Sequence, residues 1–141
     1  MPYLILIIAL LVNASAFADN TLSHLSALEW KYRIILIDDS VDTQAVVKQL
    51  RQEKSGVEDR DILWFVLNAS TSTHSLTNNY SGSITSDFSS NIYQRYFSHN
   101  DVVVLIGKDG GIKLRAKTFD LQDIFKRIDS MPMRQQEMNE K

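Results

Sequence analysis

The sequence predicts an α/β domain with a four-stranded mixed sheet flanked by helices, in the order strand, helix, strand, helix, hairpin, helix. Three observations lead there. Two continuous apolar runs, RIILI (33–37) and ILWFVL (62–67), read as strands buried on both faces. The stretch between them is long enough for a helical crossover, so the two strands are expected to be parallel. A third run, VVVLI (102–106), is joined to an alternating run by an Asp-Gly turn, the mark of an antiparallel hairpin.

Each element follows from local chemistry. Leu22, Leu25 and Leu28 are spaced to line a short first helix. Asp38-Asp39-Ser40 offers helix-capping side chains ahead of a segment, Val41 to Glu53, that places Val46, Val47 and Leu50 on one face. Gly56 is a plausible stop for that helix. Asn68 to Ser83, rich in Ser, Thr and Asn, reads as a long surface loop. Ser86 is placed to cap a helix carrying Phe88, Ile92, Tyr93, Tyr96 and Phe97. In the hairpin, Gly107-Lys108-Asp109-Gly110-Gly111 forms the turn, not a phosphate-cradling loop, because strands flank it on both sides. The second hairpin strand alternates Ile112, Leu114 and Ala116 inward with Lys113, Arg115 and Lys117 outward, a pattern suited to a charged edge. Asp120 caps a last helix with Leu121, Ile124, Phe125 and Ile128 at helical spacing, and Pro132 prevents its simple continuation.

The amino terminus reads as an export leader. The apolar block YLILIIALLV (3–12) is followed by small residues, and Ala16-Phe17-Ala18 fits cleavage before Asp19. The block is shorter than the roughly 20 residues a spanning helix needs. No Lys or Arg precedes it, an atypical feature for such a leader. The expected organisation is a signal peptide over 1–18 and one domain over 19–141, periplasmic or secreted and not transmembrane after processing. A net charge of −2 gives no reason to expect nucleic acid. The chain holds no cysteine, so disulfides are excluded and stability must come from apolar burial.

Four stretches together carry a resemblance: LEWKYRIILI (28–37), DRDILWFVL (59–67), VVVLIGKDGGIKLR (102–115) and IDSMPMRQQEM (128–138). They resemble a family of small secreted bacterial proteins known only as a domain of unknown function. Related domains occur in animal sushi-repeat and coiled-coil extracellular proteins, a wider group described as peroxiredoxin-like. The resemblance implies a thioredoxin-like fold and brings no established activity. Redox members of that fold hold a reactive Cys after the first strand, at a helix start that stabilises the thiolate. This chain has Asp38-Asp39-Ser40 there, and Ser98-His99-Asn100-Asp101 where a cis-proline usually precedes the third strand. Thiol exchange and thiol peroxidation are therefore excluded, and the fold alone confers no other chemistry.

The remaining constellations are weaker. Asp38, Asp39 and Asp42, with Asp101, offer oxygen ligands for a cation, but lack the spacing of a calcium loop and read first as helix caps. Ser40 has no nucleophile elbow around it, and His24, His74 and His99 have no zinc-ligand spacing. Met131, Met133 and Met138 suit Cu(I) chemically but are few. Lys108, Lys113, Arg115 and Lys117, with Arg134, form the candidate surface for an anionic glycan or lipid head group. Asn68-Ala69-Ser70 and Asn79-Tyr80-Ser81 match the glycosylation acceptor pattern. No motif calls for a cofactor. The leading expectation is a non-catalytic binding or interaction module of the cell envelope, its partner an envelope protein or an anionic surface. The alternatives are an enzyme of non-thiol chemistry around Asp38 and Asp39, or a metal-handling protein.

Overall fold

The computed structural model describes residues 21–69, 76–98 and 100–141. The expected leader lies outside the described residues, as do Ser70, His74 and His99. Strands β1 (Arg33–Asp38), β2 (Ile62–Leu67), β3 (Val103–Ile106) and β4 (Ile112–Ala116) form one sheet in the order β2-β1-β3-β4. β1 runs parallel to β2 and antiparallel to β3, and β3 is antiparallel to β4. This is the expected mixed sheet, and its layout is thioredoxin-like.

Helices cover both faces. On one side α1 (Thr43–Gln52), α2 (Lys54–Asp59) and α4 (Leu121–Asp129) enclose Ile35, Ile37, Trp64 and Leu105. On the other, α3 (Phe88–Tyr96) and a 3-10 helix (Leu25–Leu28) enclose Ile34, Leu36, Phe65 and Val104. Adjacent residues of β1 thus serve opposite cores, because side chains alternate along a strand. This is why both central strands are apolar throughout. Leu22, Leu25 and Leu28 are buried as expected, but Leu22 makes an isolated parallel bridge with Ile84 outside the 3-10 helix.

Several local expectations are corrected. Gly56 does not stop a helix. It sits inside α2, where an added Cβ would lie 2.9 Å from Phe125 Cε2, so the glycine permits close approach of α2 to α4. The cap of α1 is Asp42, whose carboxylate accepts from Ala45 N at 3.2 Å, and not the preceding Asp38-Asp39-Ser40. The cap position of α3 is Asp87 and not Ser86. Part of the polar loop works as an edge guard: Val66 N donates to Thr77 O, and Asn79 bonds both Trp64 N and Ile62 O. Those bonds occupy the outer edge of β2, which would otherwise be open to pairing. Ile112 is 42% exposed instead of inward, because the pairing register shifts between Leu105 and Ile106. α4 ends at Asp129, ahead of Pro132 as expected, but the chain then turns helical again: Pro132 opens an unexpected fifth helix, α5 (Pro132–Asn139), at a position where its missing N–H costs nothing.

The hairpin turn matches its sequence signal. Gly110 N donates to Gly107 O, and Gly110 has φ +80°, the left-handed geometry that closes the turn into β4.

Candidate functional site

Two places gather the residues singled out in the sequence, and they lie at opposite ends of β1. At its carboxyl end, a cavity of about 390 Å³ is lined by Asp38, Ser40, Tyr93, Asn100 and Asp101. Here the Asp38 carboxylate is already engaged. Oδ1 accepts from Ser40 N at 2.9 Å, and Oδ2 accepts from the Tyr93 hydroxyl at 2.7 Å. The Tyr93 phenol is pushed up to about 12, first by that hydrogen bond, then by desolvation and by the negative charges of Asp38 and Asp39.

Asp39 is raised above the ordinary carboxylate range by partial desolvation and by the charge of Asp38, with a hydrogen bond from Asn68 acting the other way. Asp101 lines the same cavity but bonds Arg115, Nη1 to Oδ2 at 3.2 Å. The arrangement sets one phenol hydroxyl on the Asp38 carboxylate at the mouth of the cavity, with the Asp39 carboxyl next to it in the chain. Among the described residues no cluster of three His, Asp or Glu is disposed to hold a metal ion.

At the amino end of β1, Lys108 and Arg134 belong to a partly buried ion network that fastens α5 to the sheet. Arg134 is 2% exposed; its guanidinium bonds Asp129 Oδ1, Asp59 O and Asp59 Oδ2. Arg33, 1% exposed, donates to both oxygens of Glu137 at 3.1 and 3.2 Å and to Arg60 O. Lys108 Nζ bridges Glu137 at 2.7 Å and Asp61 at 2.9 Å. Arg60 completes the set with two bonds to Asp129 and a guanidinium stacked 4.1 Å over the Phe125 ring.

The carboxylates respond to these cations. Asp59 is drawn down to about 2 by hydrogen bonds from Lys141 and Arg134. Burial pushes Asp129 and Glu137 upward, but the cations bonded to each hold both below their ordinary values. Arg134 is thus a structural clamp and does not extend a basic surface.

The rest of the basic hairpin divides between two faces. Arg115 turns to the α3 side, donating to Tyr96 O at 2.6 Å, where a cation suits a helix C-terminus. Lys117 is exposed just past β4. Lys113 and Lys108 face a cleft of about 470 Å³ between the hairpin and the α4–α5 turn, together with Arg33, Arg127, Ser130 and Met133. In that cleft Lys113 pairs with Asp109, Nζ to Oδ2 at 2.8 Å, and Arg127 donates to Lys113 O at 3.2 Å.

Sequence reading missed Arg33, Arg127, Glu137 and Tyr93 as participants. Arg33, ahead of four buried aliphatics, is the one detectable signal: a strand residue held on both faces needs a partner for its charge. Glu137 and Arg127 look like ordinary helix-surface charges until α4 and α5 are placed. The methionines do not converge. Met131 packs on the core, while Met133 and Met138 stand five positions apart on α5, on different faces of a helix.

The fold and the two sites define a class: a cysteine-free α/β domain with thioredoxin-like layout, its carboxyl-end cavity occupied by carboxylates and a phenol. The chain belongs to the family described as Domain of unknown function (DUF4174), whose model matches residues 24–137. No curated protein and no solved structure matches it. Among the described residues no helix is long and apolar enough to cross a membrane.

Proposed function

We propose that this protein is an exported, thiol-independent binding module that recognises an anionic group in the cleft between the β3–β4 hairpin and the α4–α5 turn. The observation that carries the reading is the convergence of Arg33, Lys108, Lys113 and Arg127 on one cavity, with Asp109 the one lining carboxylate. Arg33 and Lys108 are fixed by Glu137, which positions their charge without closing the cleft. Lys113 and Arg127 are the adaptable pair. The half-exposed Lys113–Asp109 bridge is of a kind that contributes little and exchanges readily with a ligand anion. The leader pattern of residues 1–18 and the resemblance to secreted and extracellular peroxiredoxin-like domains support a periplasmic or secreted location.

The test is stabilisation by inorganic phosphate or sulfate, followed as a rise in thermal midpoint with anion concentration. A rise in the parent that disappears in Lys113→Gln/Arg127→Gln supports the reading. An unchanged midpoint in the parent refutes it.

A second reading, an enzyme of non-thiol chemistry, is favoured by the raised Asp39 carboxyl beside Tyr93 and a cavity of about 390 Å³. Its discriminating variant is Asp39→Asn, which leaves the hairpin cleft intact. Loss of anion-dependent stabilisation in that variant would move the site to the carboxyl end of β1.

A further inference from the structure

The cations of the cleft are nearly balanced by the fold's own acids. Arg33, Lys108, Lys113 and Arg127 face it. Glu137 accepts from Arg33 and Lys108, Asp61 also holds Lys108, and Asp109 holds Lys113. Glu29 lies against the hairpin turn, where a Cβ added to Gly110 would meet its Oε1 at 2.6 Å. An incoming anion therefore meets little net charge until one of these acids moves away. Glu137 is the acid whose departure frees the most. Its two oxygens accept from the buried Arg33, and one of them also from the nearly buried Lys108. Asp61 and Asp109 each hold a single ammonium and are half-exposed, so water already screens them.

The helix that carries Glu137 is poorly anchored apart from these charges. α5 buries one residue, Arg134, while Met133 and Met138 are exposed. Lacking a buried apolar side chain, α5 is held to the domain by ion pairs. Arg134 bonds Asp129 and Asp59, Glu137 bonds Arg33 and Lys108, and Lys141 makes an exposed pair with Asp59 just past the helix end. Arg134 lies in the first turn of α5 and Glu137 three residues further on, with Arg134 Nη1 3.8 Å from Glu137 Oε2. The Arg134 contacts keep the start of α5 docked when Glu137 leaves its cations. Glu137 is itself 22% exposed, so a dissolved anion reaches it without the core opening.

We infer that Glu137 is a built-in competitor for the anion site: its carboxylate occupies the Arg33–Lys108 pair, and phosphate, as a doubly charged oxyanion, displaces it and loosens the second half of α5. The inference rests on the anion-cleft reading and supplies the regulation and charge preference of that site. A free monocarboxylate replaces Glu137 only like for like, and it loses because the tethered carboxylate has the higher effective concentration. A dianion that takes the place of Glu137 has charge and acceptor oxygens left for Lys113 and Arg127. The coupling is reciprocal. Whatever loosens α5 tightens anion binding, and anion binding loosens α5 to the same degree.

The experiment titrates inorganic phosphate at constant ionic strength and follows the thermal midpoint of each protein relative to its own value without phosphate. Glu137→Gln keeps the side-chain shape and removes the competing charge. It is expected to need about tenfold less phosphate than the parent for the same rise. Glu140→Gln removes the same charge from the cap position of α5 without breaking a bond to Arg33 or Lys108, and is expected to respond as the parent does. Acetate in place of phosphate is expected to leave the parent where chloride leaves it. A second readout needs no variant: in the parent, protection of the α5 amides should fall as phosphate saturates, while that of the sheet amides is kept or rises. The inference is overturned by a Glu137→Gln response no stronger than the parent's or matched by Glu140→Gln. It is equally overturned by α5 protection that phosphate leaves unchanged, or by a parent that answers acetate as well as phosphate. In each of those cases a phosphate response in the parent leaves the cleft reading standing. A parent unmoved by phosphate overturns both.

Discussion

Replacing Glu137 with alanine is expected to loosen α5 more than any single surface change, because Glu137 neutralises two cations from outside its own helix. Its oxygens accept from Arg33 at 3.1 and 3.2 Å and from Lys108 at 2.7 Å. The Arg33 side chain is 2% exposed and that of Lys108 10%, so neither can recover its hydration by moving into solvent. Removing one partner of a buried pair costs about 3–5 kcal/mol. Two features reduce the figure here. Glu137 is 22% exposed, so water can enter the space it leaves, and each cation keeps another acceptor: Arg60 O for Arg33, Asp61 for Lys108. The expected loss is therefore about 2–3 kcal/mol. For a domain of this size that lowers the thermal midpoint by roughly 6–15 °C. Urea denaturation followed by circular dichroism gives the same quantity from the shift in midpoint. Glu137→Gln, which keeps the shape and one acceptor oxygen, should cost about half as much. The stringent control is the Arg33→Met background, where no guanidinium is left stranded and the penalty for Glu137→Ala should shrink. A loss below about 0.5 kcal/mol in the parent background, the range of ordinary surface substitutions, would refute the clamp.

Asp42→Ala should cost about 0.5–2 kcal/mol by removing the α1 cap, while Asp39→Ala should stay within about 0.5 kcal/mol, both read from denaturation midpoints. Gly110→Val should cost on the order of 1 kcal/mol or more. It forces a β-branched residue to φ +80° and sets a new Cβ 2.6 Å from Glu29 Oε1, which must swing aside. Acid should weaken the α5 clamp. Asp59, Asp129 and Glu137 are all depressed in the folded chain, so their contribution is full above their unfolded values of 3.8, 3.8 and 4.5. That contribution is lost as pH falls below about 4, Asp59 holding longest because its folded value is about 2. The protection of α5 amides, taken relative to their intrinsic exchange rate at each pH, should fall through this window, and an α5 already unprotected at neutral pH would contradict the network.

The sheet was legible because its code is local. RIILI and ILWFVL announce strands covered on both faces, and the Asp-Gly turn announces the hairpin, from side-chain type and spacing alone. Asp120 was identified as a cap because the apolar periodicity of α4 starts directly after it, and its carboxylate does accept from Asp123 N. Asp42 was harder, since three acidic residues crowd the end of β1 and only the backbone path decides which one reaches a free amide. Gly56 misled for a related reason. A glycine stop and a glycine that admits a neighbouring ring look the same in one dimension, and only the placement of Phe125 distinguishes them.

Residue type and spacing were enough for the strand order, for α1, α3 and α4, for the absence of thiol chemistry and for the charged character of the hairpin, but not for α2 and α5. Tertiary structure alone decided which of those charges remain available. Arg134 looked like a member of one basic surface with Lys113, yet it is spent on the carboxylates of Asp129 and Asp59, and Lys108 faces the cleft only with its ammonium held by Glu137, 29 positions away. Tyr93 meets Asp38 across 55 positions and Arg33 meets Glu137 across 104. A charge is recognisable from its own residue, but its free energy depends on what the fold brings within hydrogen-bonding distance and on how much water is left there. Neither is written in the local sequence.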